Sequence, residues 1–127
     1  MMTLKLTKAE EQVMKALWEL EQGSVQQILE KFDLPKPART TVSTILGILE
    51  NKGFVEHTNA GKMNIYFPLV KKEAYSKSQL SVMMKEYFNN SFASMASFFA
   101  KENNLSLEEL DKLLDETREA LRKENDF

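Results

Sequence analysis

The chain has 127 residues, 43% of them hydrophobic and 28% charged, the make-up of a globular protein with one domain or one domain and an extension. Without cysteine and with one histidine, His57, it offers no disulfide, thiolate site or histidine-rich metal centre, so no cofactor or metal is expected; with no apolar run near the roughly 18 residues of a membrane span and no signal-like N-terminus, a cytoplasmic location is expected. The net charge of −2 is uneven: residues 1–72 hold ten Lys and Arg against eight Asp and Glu, and residues 73–127 seven against eleven, a mildly basic half followed by an acidic one.

In chain order, Thr7-x-x-Glu10 has the form of a capping box, in which each side chain satisfies the other residue's free backbone N–H. Ala9, Val13, Leu17 and Leu20, with Met14 and Trp18 beside them, then give one apolar helical face. Gly23 is expected to end this helix in the left-handed conformation. Ser24-x-x-Gln27 is a second capping box, opening a short helix with Val25, Ile28, Leu29 and Phe32 inward. Pro35 and Pro37 break it, since neither can continue a helix. A third helix is expected from about Thr40 to Gly53, with Val42, Ile45, Leu46, Ile48 and Leu49 as its apolar set. Its other face carries Thr40, Thr41, Ser43, Thr44, Gly47 and Asn51, small and uncharged where a surface helix usually carries Glu and Lys. Phe54–Thr58 and Met63–Phe67, two β-prone runs around Asn59-Ala60-Gly61-Lys62, read as a hairpin ended by Pro68. Residues 72–101 read as one long helix rich in Met, Phe and Ser, broken by Asn103-Asn104. Ser106-x-x-Glu109 caps a last amphipathic helix with Leu107, Leu110, Leu113, Leu114 and Leu121 on one side.

Three helices, a hairpin and two more helices describe a mainly α (α+β) protein: a winged helix-turn-helix over residues 1–70 and a helical dimerisation region over residues 71–127. A winged helix places its third helix in the DNA major groove and its hairpin against backbone or minor groove. Thr40, Thr41, Ser43 and Thr44 could then meet bases or phosphates through hydroxyl and methyl groups. Arg39 and Lys62 are the candidate cations, with Lys36 and Lys52 weaker phosphate candidates. Tyr87, Phe88, Phe92, Met95, Phe98, Phe99, Leu110 and Leu114 would leave a large apolar surface uncovered in a monomer; a second copy covers it, and a dimer suits a palindromic operator. A histidine on a strand reads as half-exposed rather than as a pH sensor. With no phosphate loop, metal-ligand cluster or nucleophile motif, no enzymatic role is expected. The competing reading is a winged-helix module that uses the same face on a protein partner without sequence-specific DNA binding.

The assembled residues resemble the penicillinase-repressor family (BlaI/MecI type) over nearly the whole chain. The resemblance is carried by Leu6-Thr7-Lys8-Ala9-Glu10 with Trp18, by Thr41-Val42-Ser43-Thr44-Ile45-Leu46 leading to Leu49-Glu50-Asn51-Lys52-Gly53-Phe54, and by Tyr66-Phe67-Pro68-Leu69-Val70. Ser91-Phe92 and Leu105-Ser106-Leu107-Glu108-Glu109-Leu110 resemble the family's dimerisation region. The resemblance implies a dimeric transcriptional repressor on a pseudo-palindromic operator, released when a membrane sensor metalloprotease pathway cleaves it. Two positions depart from the family pattern. Thr40, Ser43 and Ile48 stand where β-lactam-responsive members tend to carry Lys or Arg, which implies a different operator. Phe98-Phe99 stands at the family's Asn-Phe cleavage bond. The cysteine-bearing tail of copper-responsive relatives is absent, so metal sensing is not expected.

Overall fold

The computed structural model describes residues 5–125. Helix α1, Lys8–Leu20, starts where Thr7 and Glu10 close their capping box: Glu10 N–H donates to Thr7 Oγ1 at 3.2 Å and Thr7 N–H to Glu10 Oε1 at 2.8 Å. Its inner face buries Val13, Met14, Ala16 and Leu17. The expected stop at Gly23 is not where the helix ends. Glu21 takes the positive φ of 70° and donates its N–H to Leu17 O. Gly23 instead exchanges both backbone hydrogen bonds with Tyr66, at 2.8 and 2.9 Å, and a Cβ there would come within 3.2 Å of Leu20 Cδ1. The glycine serves a close approach between chain segments.

Helix α2, Val25–Glu30, opens on the Ser24–Gln27 box and buries Ile28. Lys36 Nζ donates to the carbonyls of Leu29 and Glu30 in the last turn at 3.2 and 3.0 Å, where a helix lacks its own i+4 donors. Helix α3, Arg39–Asn51, begins directly after the proline turn, with Ala38 at its N-cap and no side-chain cap. Val42, Leu46 and Leu49 are fully buried and Ile45 partly. Ile48, expected in this apolar set, is instead 42% exposed; six residues past Val42, it points about 240° around the helix from it. Strands β1, Val55–Ala60, and β2, Met63–Pro68, pair antiparallel from Val55↔Pro68 to Ala60↔Met63. The two-residue turn has Gly61 at φ +66° and no positive φ at Lys62, as a type II′ hairpin turn requires.

These elements enclose one core of Leu6, Val13, Met14, Leu17, Ile28, Val42, Leu46, Leu49, Phe54, Val55, Tyr66 and Tyr75. Three helices and the hairpin form a winged helix. Tyr75 belongs to α4, Lys72–Phe88. Its ring packs 5.6 Å from Trp18 and edge-on 6.3 Å from Phe54, and its hydroxyl donates to Glu11 Oε2 at 2.7 Å.

The chain divides into two compact units, one ending at Leu80 and the other beginning at Ser81. The long helix expected over residues 72–101 is interrupted. Asn89 and Asn90 take left-handed φ values of 51° and 59°, which asparagine tolerates better than most residues. Asn90 N–H closes back on Met84 O at 2.8 Å. Ser91 then caps α5, Phe92–Glu102, by accepting from Ser94 N–H. Asn103 and left-handed Asn104 end α5, and Ser106 with Glu109 caps α6, Leu107–Asn125. No described residue after Tyr75 is buried.

Candidate nucleic-acid interface

The exposed side of α3 carries Arg39, Thr40, Thr41, Ser43, Thr44, Gly47, Ile48 and Asn51. The Thr44 hydroxyl donates to Thr40 O at 2.9 Å, so what it can still offer a partner is an acceptor. The first turn has no side-chain cap, so unsatisfied N–H groups and the positive end of the helix dipole lie there.

Arg39, Thr40 and Ser43 form one wall of a cleft of about 340 Å³, completed by Ser24 and Val25 of the α2 start and by Lys62, Met63, Asn64 and Tyr66 of the hairpin. The Gly23–Tyr66 backbone pair joins these segments, because it fixes the residue before Ser24 against β2. Among the described residues no carboxylate lines the cleft. Arg39 and Lys62, both exposed, have no hydrogen-bond or ion-pair partner among the described residues. The structure thus brings together Arg39, Thr40, Ser43 and Lys62, and leaves Thr41 and Thr44 on α3 outside the cleft lining. Sequence reasoning missed Ser24, Met63, Asn64 and Tyr66 here; the residues flanking the Gly61 turn were the available signal.

Lys36 and Lys52 are already engaged. Lys36 closes the end of α2. Lys52, just past α3, donates to both oxygens of Glu10 at 2.9 and 2.8 Å. Glu10 is only 4% exposed. Burial pushes its carboxyl pKa up, but the hydrogen bonds from Lys52 and Thr7 outweigh that and hold it below the ordinary value. His57 on β1 is half-exposed, as expected; its Nδ1 pairs with the Glu50 carboxylate of α3, and its ring lies 5.2 Å from Tyr66. That pair ties the hairpin to α3. Burial, then the neighbouring Glu11 carboxylate, pushes the Tyr75 hydroxyl up to about 12, so it remains a hydrogen-bond donor. A second hollow of about 420 Å³, lined by Lys15, Lys31, Glu19 and Asp33 among others, mixes both charges, and its Lys31 is already bonded to Glu19 at 3.0 Å.

In the second unit, Tyr87, Phe92, Phe98 and Phe99 are 74%, 61%, 56% and 51% exposed. Phe88, Met95, Leu110 and Leu114 are half-buried. Phe88 and Phe98 bring their rings to 5.8 Å. The Phe98-Phe99 bond lies inside α5, in helical conformation. Among the described residues no group of three or more His, Cys, Asp or Glu is placed to hold a metal ion, and no helix is long and apolar enough to cross a membrane.

The sequence profile of the penicillinase repressor family matches residues 6–119. The methicillin resistance regulatory protein MecI of Staphylococcus aureus (strain N315) is 24% identical over 112 residues, covering 87% of this chain and 91% of that protein. The penicillinase repressor of Bacillus licheniformis is 24% identical over 110 residues, covering 86% of each. The solution structure of the DNA-binding domain of the repressor BlaI superposes with a TM-score of 0.51 at 23% identity, covering 58% of this chain and 92% of that one. The winged-helix unit and the profile match over most of the chain agree: this protein belongs to the penicillinase repressor family, whose members are transcriptional repressors and not enzymes.

Proposed function

We propose that this protein is a DNA-binding transcriptional repressor that occupies a pseudo-palindromic operator as a homodimer. Helix α3 enters the major groove with Thr40, Thr41, Ser43 and Thr44 toward the bases, while Arg39 and Lys62 take phosphates on either side of the cleft. The observation that carries this reading is the cleft itself: two unpartnered cations, an uncapped helix start and no carboxylate. The same features favour phosphate over a protein surface as the occupant. The exposed aromatic residues of α4 and α5, with Leu110 and Leu114 of α6, are the proposed dimer surface, since a dimer supplies two reading helices to two half-sites. Its place of work is then the cytoplasm, with the chromosome. Release by a sensor metalloprotease at Phe98-Phe99 extends the proposal, and it requires α5 to unwind locally, because the bond is held in a helix.

Fluorescence anisotropy with labelled duplexes from the promoter of its own operon tests the reading. The expected result is binding that prefers that duplex over a scrambled one and falls steeply with salt. Thr44→Glu, which sets a negative charge on the exposed face of α3, should weaken binding without lowering the Tm. Binding that ignores both sequence and salt would sink the proposal and leave protein docking as the use of this face.

A further inference from the structure

Between Arg39 and Lys52, α3 carries one charged residue, Glu50, and its carboxylate is paired with His57 of the wing. The cleft takes Arg39, Thr40 and Ser43. A second strip of α3 lies outside that lining. Thr41, Thr44 and Ile48, at steps of three and four, share one side of the helix, and all three are exposed. Ile48, at 42% exposure, is the large apolar member. Gly47 beside it adds no side chain, and a Cβ there would meet nothing within 4 Å. A lone exposed isoleucine needs no explanation, but this one continues the face of α3 assigned above to the major groove.

The chemistry of the strip limits the base edge it can meet. In the major groove guanine shows only acceptors, cytosine an amino donor, adenine an acceptor and an amino donor, and thymine an acceptor and its C5 methyl. Thr44 donates its hydroxyl proton to Thr40 O and keeps only acceptor capacity, so it cannot bond guanine there. Ile48 has no hydrogen-bonding group, and against guanine or cytosine it would leave a polar edge without a partner. The nearby cations do not reach this position. Arg39 is nine residues earlier, on the order of 13 Å back along the helix axis, and Lys52 is held by both oxygens of Glu10. What suits Ile48 is the thymine methyl, the apolar group that base pairs present in this groove.

We infer that Ile48 determines specificity at one position of each half-site, where it selects a T·A pair by packing on the thymine C5 methyl. The inference rests on the DNA-binding reading above and adds a base pair that α3 demands and the residue that demands it. The full-length protein selects duplexes from a randomised pool, and the selected duplex is remade with each thymidine in turn replaced by deoxyuridine, which lacks only that methyl. Fluorescence anisotropy should show one thymidine per half-site at which the exchange weakens binding, about fourfold for each methyl lost. Ile48→Ala should bind more weakly and no longer distinguish thymidine from deoxyuridine at that position. Ile48→Arg, whose stem covers the same helix surface, should select G·C in place of T·A there, because arginine bonds guanine O6 and N7; it serves where alanine lowers the Tm. A selected duplex indifferent to every deoxyuridine exchange would overturn the inference and leave the repressor reading standing. A sensitive thymidine that stays as sensitive in Ile48→Ala, or an Ile48→Arg variant that keeps the original preference, would do the same. A pool from which no sequence is selected would overturn operator recognition itself.

Discussion

Lys52→Met separates two roles that a lysine at the end of the reading helix could have. If Lys52 were a phosphate contact, its loss would weaken DNA binding and leave the fold alone. The structure assigns it to Glu10 instead, at 2.8 Å, across 42 residues of sequence. Removing one partner of a fully buried ion pair costs about 3–5 kcal/mol. The Lys52 side chain is 40% exposed against 5% for Glu10, and Glu10 keeps its bond from Thr7 N–H, so about 1–2 kcal/mol is the expected loss. For a unit of this size that lowers the Tm by roughly 5–15 °C. The pH dependence carries a sign. The Glu10 pKa is held below its ordinary value of 4.5 in the fold, so its contribution is complete above that value and lost as pH falls through the folded-state value. The gap between wild type and variant, followed by circular dichroism, should therefore be full at pH 7 and shrink below pH 4.5. Equal Tm values at pH 7, or a gap indifferent to acid, would refute the pairing. Unchanged stability with a shallower salt dependence of DNA binding would instead make Lys52 a phosphate contact.

Arg39→Ala and Lys62→Ala should each weaken DNA binding across all sequences and lower the salt slope by about one per lost phosphate contact; a titration from low to high salt measures this. Gly47→Ala tests the exposed face of α3 from the other side. A Cβ there meets nothing within 4 Å, so alanine should stabilise the fold by about 0.5–1 kcal/mol, while the added methyl weakens operator binding if α3 lies close against DNA. A higher Tm with unaltered affinity would show that this stretch of α3 stands off the groove. Phe92, 61% exposed at the start of α5, is expected to be covered in the dimer, so Phe92→Asp should give monomers by light scattering with the winged-helix unit still folded.

Much of this architecture was legible locally. The capping boxes at Thr7, Ser24 and Ser106 each close within three residues, and the Gly61 turn sets the hairpin within two, so composition and spacing sufficed to place α1, α2, α6 and the wing. The Thr and Ser face of α3 was visible from helical periodicity. Two local errors came from weighing residue type over geometry: Gly23 was read as a helix stop because it is glycine, and Ile48 as core because it is apolar. The interruption at Asn89-Asn90 was missed because neither residue breaks a helix unless its backbone turns left-handed.

The sequence by itself determined the order of the first three helices and the hairpin, the N-terminal caps at Thr7, Ser24 and Ser106, the polar face of α3 and the family. Tertiary structure alone decided which cations are free. Lys36 and Lys52 look like Arg39 and Lys62 in sequence, but the folded chain spends Lys36 on the end of α2 six and seven residues back and Lys52 on a buried carboxylate 42 residues away. The cleft between α3 and the wing is likewise a tertiary product, held by Gly23 against Tyr66, while Trp18 Nε1 bonds Val70 O across 52 residues and Tyr75 bonds Glu11 across 64. Burial and hydrogen-bond partnering depend on which distant segments meet, and local propensity carries no record of that.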